Sequence, residues 1–356
     1  MDAARPAPAL DPDRYFDLKA PGAHEWWYFD AMSADGRDVL VIIFYAGLPF
    51  DPSYGVAAIR HARNPGKYPR PNPLDHAAIG LSWHRDGKQV AYALSGHKAD
   101  AFKYQADPFE VRVATSRVAR DADGSYRLTV LTPSVDGKPI RAAIRFAPAA
   151  GTVPLERNLG SAGHPHYWIL AAPDCQVEGT VAIGDNTLKF AGRGYHDHNA
   201  GGEEMSLAMR RWEWGRVHIG DETHIYYAST PQPGKGEPQS LWITCRDGKP
   251  EVVSEVAQHA IDEEKSERSV FGIRHAMLRA LNARAHQVFG RITRTCLDDG
   301  PFYRRWIADY FVVAGQVVPS TVSPQATGIA ELLDTRHMNR WYVNWMIPYR
   351  LKWPKV

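Results

Sequence analysis

The stretch QVEGTVAIGDNTLKFAGRGYHDHN, residues 176–199, carries the pattern that decides the fold. Two runs rich in strand-forming residues flank Gly184-Asp185, and a Gly-Asp pair between such runs is a signal for a two-residue hairpin turn. The second run ends in the densest polar segment of the sequence, Tyr195 to Asn199. The stretch therefore predicts an antiparallel hairpin that leads directly into a candidate functional site.

The same turn signal recurs along the chain. Asp-Gly pairs occur at Asp35-Gly36, Asp86-Gly87, Asp123-Gly124, Asp136-Gly137, Asp247-Gly248 and Asp299-Gly300. Most lie between segments that read as strands, such as EWWYFDAM and DVLVIIFYAG around the first pair. Only residues 266–287 (SERSVFGIRHAMLRALNARAHQ) favour a helix, because Ala, Leu, Met and Arg are good helix formers, although a strand is an alternative there. The sequence predicts an all-β antiparallel meander with few helices.

Two segments of similar sequence suggest two domains. EWWYFDAMSADG begins at Glu25 and RRWEWGRVHIGD begins at Arg210, and each reads as a Trp-rich strand that leads into a turn. A chain of 356 residues is long enough for two domains of ordinary size. We therefore expect two consecutive β-barrel domains, over residues 1–204 and 205–356.

Composition limits the classes of function. The net charge is +2, which gives no support for nucleic-acid binding. Cys175, Cys245 and Cys296 lie far apart, so neither a disulfide framework nor a zinc ribbon is indicated. The amino terminus has no apolar segment of the secretory type, and the longest apolar run, residues 39–49, is too short to span a bilayer. We expect a cytoplasmic protein whose oligomeric state the sequence leaves open.

The carboxyl-terminal segment has two interpretations. NRWYVNWMIPYRLKWPKV, residues 339–356, is aromatic and basic. One interpretation is a last strand and tail packed on the second barrel. The other is a peripheral contact with the inner membrane, where an apolar substrate would be found. Just before it, Glu331 with Arg336 and Arg340 reads as a structural ion-pair cluster.

Alternation of side chains divides the polar segment into two faces. In an extended strand Tyr195, Asp197 and Asn199 share one face, and His196 and His198 share the other. The His face, with a second His-x-His at His164 and His166, could supply metal ligands, but no HExxH motif or suitably spaced carboxylate accompanies them. We expect His196 and His198 to hydrogen-bond to neighbouring loops instead, and we predict no metal and no cofactor.

The Tyr-Asp face suggests acid–base chemistry. A carboxyl group in a poorly hydrated aromatic pocket has a raised pKa, so Asp197 could remain protonated near neutral pH and act as a general acid. His166 and Trp168 share one face of HPHYWIL and could line the same cavity as Tyr195. Such a set suits protonation of a carbon–carbon double bond, because aromatic faces stabilise the carbocation. The alternative for Asp197 is an Asx-turn before the Gly201-Gly202 bend.

Other residues are candidates for lining the cavity. Glu25 could be a buried carboxylate at a barrel mouth or part of a salt bridge to an arginine. Trp26 and Trp212 could contact substrate or simply close one end of a barrel. The predicted substrate-binding set is Glu25, Trp26, Trp27, Trp212, Trp214 and Ala200.

Three motifs, HEWWYFDAM, HYW and GYHDHNAGG, resemble those of the carotenoid 1,2-hydratase (hydroxyneurosporene synthase) family. The resemblance spans residues 25 to 333 and is most specific at Tyr-His-Asp-His-Asn, 195–199. It implies two lipocalin-like β-barrels and a cofactor-independent acid–base reaction on an apolar isoprenoid or polyene. The His-x-Trp and Tyr-x-Asp pairs proposed as catalytic in that family match His166 and Trp168, and Tyr195 and Asp197.

The chain departs from the resembled family at Ala200, where the family has a tryptophan in HNWG. That change could widen the pocket or alter the substrate. The wider superfamily also includes terpenoid and Diels–Alder-type cyclases, so the fold alone does not fix the reaction. Four hypotheses remain: a hydratase or cyclase that protonates an alkene, a pericyclic cyclase, a non-catalytic carrier of an apolar ligand, and a metal enzyme that uses the four histidines.

Overall fold

The computed structural model describes residues 10–160, 163–255, 260–261, 266–283, 287–314 and 323–353. Over these residues 23 strands form one twelve-stranded sheet, one nine-stranded sheet and a small two-stranded sheet, and every pairing within them is antiparallel. The predicted fold class is confirmed: the protein is all-β, with two consecutive lipocalin-like barrel units and few helices.

The first sheet runs in the order β4-β3-β2-β1-β12-β11-β9-β8-β7-β6-β5 and curls into a nearly closed barrel, with β10 paired to β11. Its strands are β1 His24–Ser33, β2 Asp38–Ala46, β3 Ala77–Arg85, β4 Lys88–His97, β5 Phe102–Gln105, β6 Glu110–Val113, β7 Ser116–Arg120, β8 Tyr126–Pro133, β9 Pro139–Pro148, β10 Leu155–Asn158, β11 His166–Ile183 and β12 Asn186–Gly201.

The second sheet runs in the order β16-β15-β14-β13-β23-β22-β21-β20-β17. Its strands are β13 Met209–Ile219, β14 Glu222–Pro231, β15 Gln239–Arg246, β16 Lys249–Glu255, β17 Ala260–Ile261, β20 Leu278–Ala283, β21 Gln287–Asp299, β22 Tyr303–Ala314 and β23 Ala326–Asp334, while β18 Ser266–Arg268 pairs with β19 Arg274–Ala276 apart from it. The predicted boundary between residues 204 and 205 falls between the two large sheets and stays a prediction.

The hairpins predicted at Asp35-Gly36 and Gly184-Asp185 are present as β1-β2 and β11-β12, and turn chemistry explains such connections. At Asp86-Gly87 both residues have positive φ, 52° and 74°, as a two-residue type I′ turn requires. Asp247-Gly248 has the same geometry, with φ values of 51° and 69°. Glycine adopts this conformation without the steric cost that other residues meet, and aspartate tolerates it better than most.

The helical prediction at 266–287 is wrong. The described part of this segment contains β18, β19 and β20, while residues 284–286 lie outside the described residues. Leu278 to Ala283 pairs with Gln287 to Ile292, so hydrogen bonding within the sheet overrides the helix propensity of its Ala and Leu residues. The described helices are instead α1 Pro52–Arg63, α2 Met205–Ala208 and α3 Trp341–Arg350, with 3₁₀ turns at Pro73–His76, Ala99–Ala101 and Thr335–His337.

The carboxyl-terminal segment also differs from the expectation of a last strand on the second barrel. Residues 341–350 form helix α3, and Lys352 then makes a bridge to Ser95 of β4, in the first sheet. The segment therefore returns to the first barrel and connects the two sheets. Within the part of the chain that the structure describes, no helix is both long and apolar enough to cross a membrane.

Two apolar cores determine where the site lies. One fills the first barrel and includes Trp27, Phe29, Phe44 and Trp83. The other lies between the two large sheets. Its buried aromatic residues are Trp26, Tyr28, Tyr45, Trp168, Tyr195, Trp212, Trp214, Tyr227 and Phe302. Strand β1 contributes alternate residues to each core, because its side chains point to opposite faces of the sheet. The same alternation on β12 separates the two faces of the polar segment.

Candidate functional site between the two sheets

Three neighbouring strands of the first sheet bring the candidate residues together. Asp197 lies opposite Tyr28 of β1 and Leu170 of β11, and Asn199 lies opposite Trp168 and Trp26. Directly opposed residues of antiparallel strands point to the same face. The register therefore places the four predicted catalytic residues, His166, Trp168, Tyr195 and Asp197, on the face that looks toward the second sheet.

Asp197 is the centre of a hydrogen-bonded cluster. Its Oδ2 accepts from Trp168 Nε1 and from the Tyr195 hydroxyl, each at 2.8 Å, and its Oδ1 accepts from Asn199 Nδ2 at 2.9 Å. All three donors are neutral groups. Oδ2 uses both of its lone pairs in these bonds, whereas Oδ1 uses one, so the remaining Oδ1 lone pair is where an acidic proton can be held.

Burial gives Asp197 an acid strength suited to neutral pH. Removal from water raises the pKa of its carboxyl from 3.8 to about 7, although the hydrogen bonds from Trp168 and Tyr195 oppose the change. The nearby negative charges of Glu331 and Asp30 raise this pKa further. Asp197 is therefore a buried carboxyl group that three hydrogen bonds anchor and whose pKa lies near neutral.

His166 is a neutral member of the same face. Burial lowers the pKa of its imidazole to about 3, and the neighbouring His24 lowers it further. Its Nε2 lies 3.4 Å from the hydroxyl of Tyr227, and its ring packs near those of Trp26 and Trp212. With so low a pKa the ring can orient a polar group by hydrogen bonding, but carrying a proton as imidazolium is costly.

Aromatic rings surround the Asp197 cluster. The Trp214 ring centroid lies 5.1 Å from that of Tyr195 and 5.7 Å from that of Tyr28, and the Trp168 centroid lies 5.0 Å from that of Tyr227. The predicted substrate-binding residues Trp26 and Trp212 stack loosely at 5.9 Å. These rings offer π faces that can stabilise a positive charge in a poorly hydrated place.

The opposite face of β12 contains the histidines. His196 stacks on Phe29 with ring centroids 3.9 Å apart, and His198 stacks on Trp27 at 4.7 Å. Both ring nitrogens of each histidine face oxygen acceptors: Tyr28 O and Asp13 Oδ1 for His196, Pro12 O and Glu25 Oε1 for His198. These histidines hold the segment of residues 12–16 inside the first barrel. Their partners thus include strand β1 as well as the loop contacts that the sequence predicts.

Three predicted substrate-binding residues lie on this histidine face. Glu25 accepts hydrogen bonds from His198 and from the Phe16 backbone N–H, at 2.8 and 3.0 Å, so its partner is a histidine where the sequence suggested an arginine. Trp27 belongs to the core of the first barrel. Ala200 lies opposite Glu25 and Tyr167 and so points away from Asp197. The structure does not bring these three together with Asp197, unlike Trp26, Trp212 and Trp214.

A cavity opens between the two sheets beside the Asp197 cluster. Its volume is about 150 Å³, and its mainly apolar lining comes from both sheets and from α3. Trp26, Tyr28 and Trp212 line it, whereas the four predicted catalytic residues, including Asp197, are not among its lining residues. Asp197 and Asn199 are nevertheless 5% and 4% exposed, while His196 and His198 are both 0% exposed. Trp168 and Tyr195, on the Asp197 face, are also 0% exposed, so the cluster as a whole is buried.

Glu331 and Asp298 are the carboxylates that line this cavity in the described part of the chain. Glu331 also lies close to the Asp197 cluster. It accepts hydrogen bonds from the Tyr28 hydroxyl and from Arg305 Nε, each at 2.8 Å. The predicted cluster of Glu331 with Arg336 and Arg340 is therefore wrong: Arg336 forms its ion pair with Asp334. Sequence reasoning missed Tyr28, although alternation within EWWYF places it on the face of Trp26. Glu331 and Arg305 carry no local signal, since their partners are distant in sequence.

The four histidines of the metal hypothesis do not converge. His164 contacts Glu203 and Lys235 and is partly exposed, and His166 lies among aromatic rings between the sheets. His196 and His198 point into the first barrel. Among the residues that the structure describes, no group of three or more His, Cys, Asp or Glu side chains is arranged to hold a metal ion.

Comparison with known proteins assigns the family. The family described as carotenoid hydratase CrtC matches residues 42–355. The chain belongs to the carotenoid hydratase family. It is 27% identical to a hydroxyneurosporene dehydrogenase of Chlorobaculum tepidum, over 89% of this chain and 84% of the relative. It is also 31% identical to an acyclic carotenoid 1,2-hydratase of Thiocapsa roseopersicina, over 64% of this chain and 52% of that relative.

The fold is shared with solved structures of low sequence identity. Kievitone hydratase of Nectria haematococca superposes with a TM-score of 0.53 over 92% of this chain and 93% of that one, at 10% identity. This likeness concerns the fold alone. Together, the family assignment and the arrangement of the site make this member of the carotenoid hydratase family an enzyme of the hydratase type.

Proposed function

We propose that the protein protonates a carbon–carbon double bond of an apolar isoprenoid or polyene and adds water to the resulting carbocation, with Asp197 as the general acid. The observation that carries the proposal is a fully buried carboxyl group with a pKa of about 7, held by three neutral donors beside an aromatic cavity. A carboxyl group of this strength is half protonated near neutral pH, where general acids are most effective.

The reaction balances without any other reactant than water. The Asp197 proton passes from Oδ1 to one alkene carbon, and the other carbon becomes a tertiary carbocation that the surrounding rings stabilise. Water attacks this carbon, and the carboxylate of Asp197 takes back the proton that the water releases. The net change is addition of one water molecule across the double bond, and the enzyme returns to its starting state. His166, being neutral, can orient the water through a hydrogen bond.

The second carboxylate supports this assignment. Glu331 is paired with Arg305, so its charge is partly balanced, and it raises the pKa of Asp197. The two carboxyl groups lie in unlike surroundings, since Asp197 accepts hydrogen bonds from neutral donors and Glu331 pairs with a guanidinium. Asp197 is the one that can supply a proton near neutral pH.

The substrate class also implies where the enzyme works. Long apolar polyenes partition into bilayers, so we propose peripheral contact with a membrane as the means of reaching the substrate. The cavity has a volume of about 150 Å³, which is enough for only part of such a molecule. Its residues therefore act on one end of a long chain while the rest extends outside.

The direct test is product analysis with wild type and Asp197→Asn, using an acyclic carotenoid in detergent and mass spectrometry. Loss of the general acid is expected to reduce hydration by about 10³-fold, within the usual range for a general acid. Asp174→Asn is the matched control, because Asp174 pairs with Arg193 away from the cavity and its loss leaves turnover unchanged. Circular dichroism checks that both variants are folded.

Two outcomes would contradict the proposal. A fully active Asp197→Asn enzyme that forms a cyclised product would indicate catalysis by the shape of the cavity alone. Stoichiometric binding of the polyene by wild type without any product would indicate a carrier.

A further inference from the structure

Helix α3 presents its aromatic residues to solvent. Trp341, Trp345 and Tyr349 are spaced four residues apart, so they lie on one face, and they are 80%, 63% and 62% exposed. The opposite face is buried through Val343 and Ile347. A helix on the surface of a globular protein ordinarily turns polar residues outward, so this outward aromatic row needs a partner.

A neighbouring turn extends the apolar surface. Val270 is 87% exposed, and the ring of the adjacent Phe271 stacks on Tyr342 of α3 at a centroid distance of 6.4 Å. Within the described residues, Val270, Trp341, Trp345 and Tyr349 are the four most exposed large apolar side chains. Isolated exposed apolar residues are ordinary, but their concentration in one patch marks an interaction surface.

The helices beside this patch carry positive charge, while the exposed Glu267 lies on the hairpin of Val270. Helix α1 packs against α3, and neither residues 52–74 nor residues 335–356 include a single Asp or Glu. The described basic side chains of these two segments are Arg60, Arg63, Lys67, Arg70, Arg336, Arg340, Arg350 and Lys352. A Trp- and Tyr-rich apolar row flanked by Arg and Lys is the composition of proteins that lie at the surface of an anionic bilayer.

The same helix forms one wall of the cavity. Ile347 and Arg350 line the cavity from its α3 side. Beyond the helix, Lys352 N donates to Leu94 O at 2.8 Å and Gly96 N donates to Lys352 O at 2.7 Å, which fixes the end of α3 to β4. Helix α3 therefore has one side against the cavity and the other toward solvent.

We propose that α3, the Val270 turn and the basic residues of α1 form a docking face for an anionic lipid bilayer, and that apolar substrate enters the cavity beside Ile347. The aromatic side chains insert at the level of the lipid headgroups, and the arginines and lysines pair with lipid phosphates. Delivery of substrate through this docking face rests on the proposed function, since that function places the apolar substrate in the bilayer. Binding of the protein to vesicles can be measured without any substrate.

The test is flotation of the purified protein with phosphatidylcholine vesicles, with and without phosphatidylglycerol. Wild type is expected to bind the anionic vesicles and to be released by high salt. The double variant Trp341→Ala/Trp345→Ala is expected to bind at least about tenfold more weakly. Arg340→Gln is expected to bind about fivefold more weakly, the usual contribution of one basic residue near the surface.

Matched controls lie elsewhere on the molecule. Leu131→Ala and Val153→Ala remove apolar residues that are 41% and 49% exposed outside the patch, and Lys189→Gln removes an exposed positive charge there. All three are expected to bind as wild type does. The docking variants should also retain hydration of a detergent-dispersed polyene, which separates a failure of docking from a failure of catalysis.

Three results would overturn the docking face. The first is that wild type stays unbound to anionic vesicles, and the second is that the double variant binds them as tightly as wild type does. Alternatively, analytical ultracentrifugation could show that wild type is a dimer and that the double variant is a monomer, in which case the face is an interface between two copies of the chain.

Discussion

Strand β12 buries two carboxylate-bearing clusters, one on each face, and they differ in the charge of their partners. Asp13, on the histidine face, and Asp197, on the other, are both buried, at 0% and 5% exposure. Burial raises the pKa of both, but the hydrogen bond and charge of His196 and the charge of Arg120 outweigh burial at Asp13, and its net pKa is lowered. At Asp197 the donors are neutral, and the net pKa rises to about 7.

The difference teaches which buried carboxyl group can do acid–base work. Neutral donors orient a carboxylate without compensating for its lost hydration, so the proton stays bound near neutral pH. Cationic partners compensate for that loss and keep the group ionised, which makes it a structural anchor. One strand therefore carries an acid on one face and an ion pair on the other, because its side chains alternate.

The largest effect on stability is expected from breaking the ion pair of the histidine face. His196→Ala removes the ring that stacks on Phe29 and leaves the Asp13 carboxylate buried without its closest cationic partner. Breaking a buried pair in this way costs about 3–5 kcal/mol of unfolding free energy. Urea unfolding measures it, with the partly exposed His61→Ala as the control.

Activity per folded molecule should separate the two faces. We expect His196→Ala to retain the specific activity of wild type at a temperature where both are folded, because His196 does not border the cavity. If instead turnover falls about as far as in Asp197→Asn while stability is unchanged, the two faces have been assigned the wrong way round.

The second effect is the contribution that Asp197 makes to the pH dependence of stability. Its pKa is about 7 in the folded state against 3.8 for an unperturbed group. Between these values the folded protein keeps a proton that the unfolded chain has released, so stability falls as pH rises from about 4 to 7 and the loss is complete above 7. The difference in pKa corresponds to a cost of order 4 kcal/mol at high pH.

Asp197→Asn should remove this cost. The unfolding free energy of the variant, relative to wild type, is therefore expected to increase as pH rises from about 4 to 7 and to stay level above that range. The quantity to compare is how the difference in unfolding free energy between variant and wild type changes with pH. Its absolute value is less informative, because the introduced amide also alters the hydrogen bonds with Trp168 and Tyr195. A difference that stays constant over this range would mean that Asp197 is ionised in the folded protein at all these pH values.

Local patterns in the sequence predicted one face of the site well. Tyr195, Asp197 and Trp168 were grouped correctly because strand alternation is a local rule and because the hairpin that carries β12 has a clear turn signal. Strand alternation cannot predict contacts between residues that are distant in sequence. Tyr28 and Glu331 are 303 residues apart, and His196 and Asp13 are 183 residues apart. The charge state of each buried carboxyl group depends on those distant partners.

The helical errors have a different physical cause. At 278–283 pairing with β21 outweighs the helix propensity of Leu and Ala. At 341–350 the aromatic residues and Pro348 favour a strand or an irregular segment, yet packing of Val343 and Ile347 selects a helix. In both segments tertiary contacts determine the outcome, and propensity is only a weak guide.

The smallest effect tests whether neutral donors set the acidity of Asp197. Tyr195→Phe removes the hydroxyl that donates to Oδ2, a bond that favours the ionised carboxylate. Its loss should raise the pKa of Asp197, so the alkaline fall in activity is expected to move to higher pH, by up to about one unit. Tyr227→Phe is the control, because its hydroxyl faces His166 and its loss should leave the fall where it is. A shift to lower pH in Tyr195→Phe would show that this hydroxyl stabilises the protonated carboxyl group, and the neutral donors would then add to the effect of burial instead of opposing it.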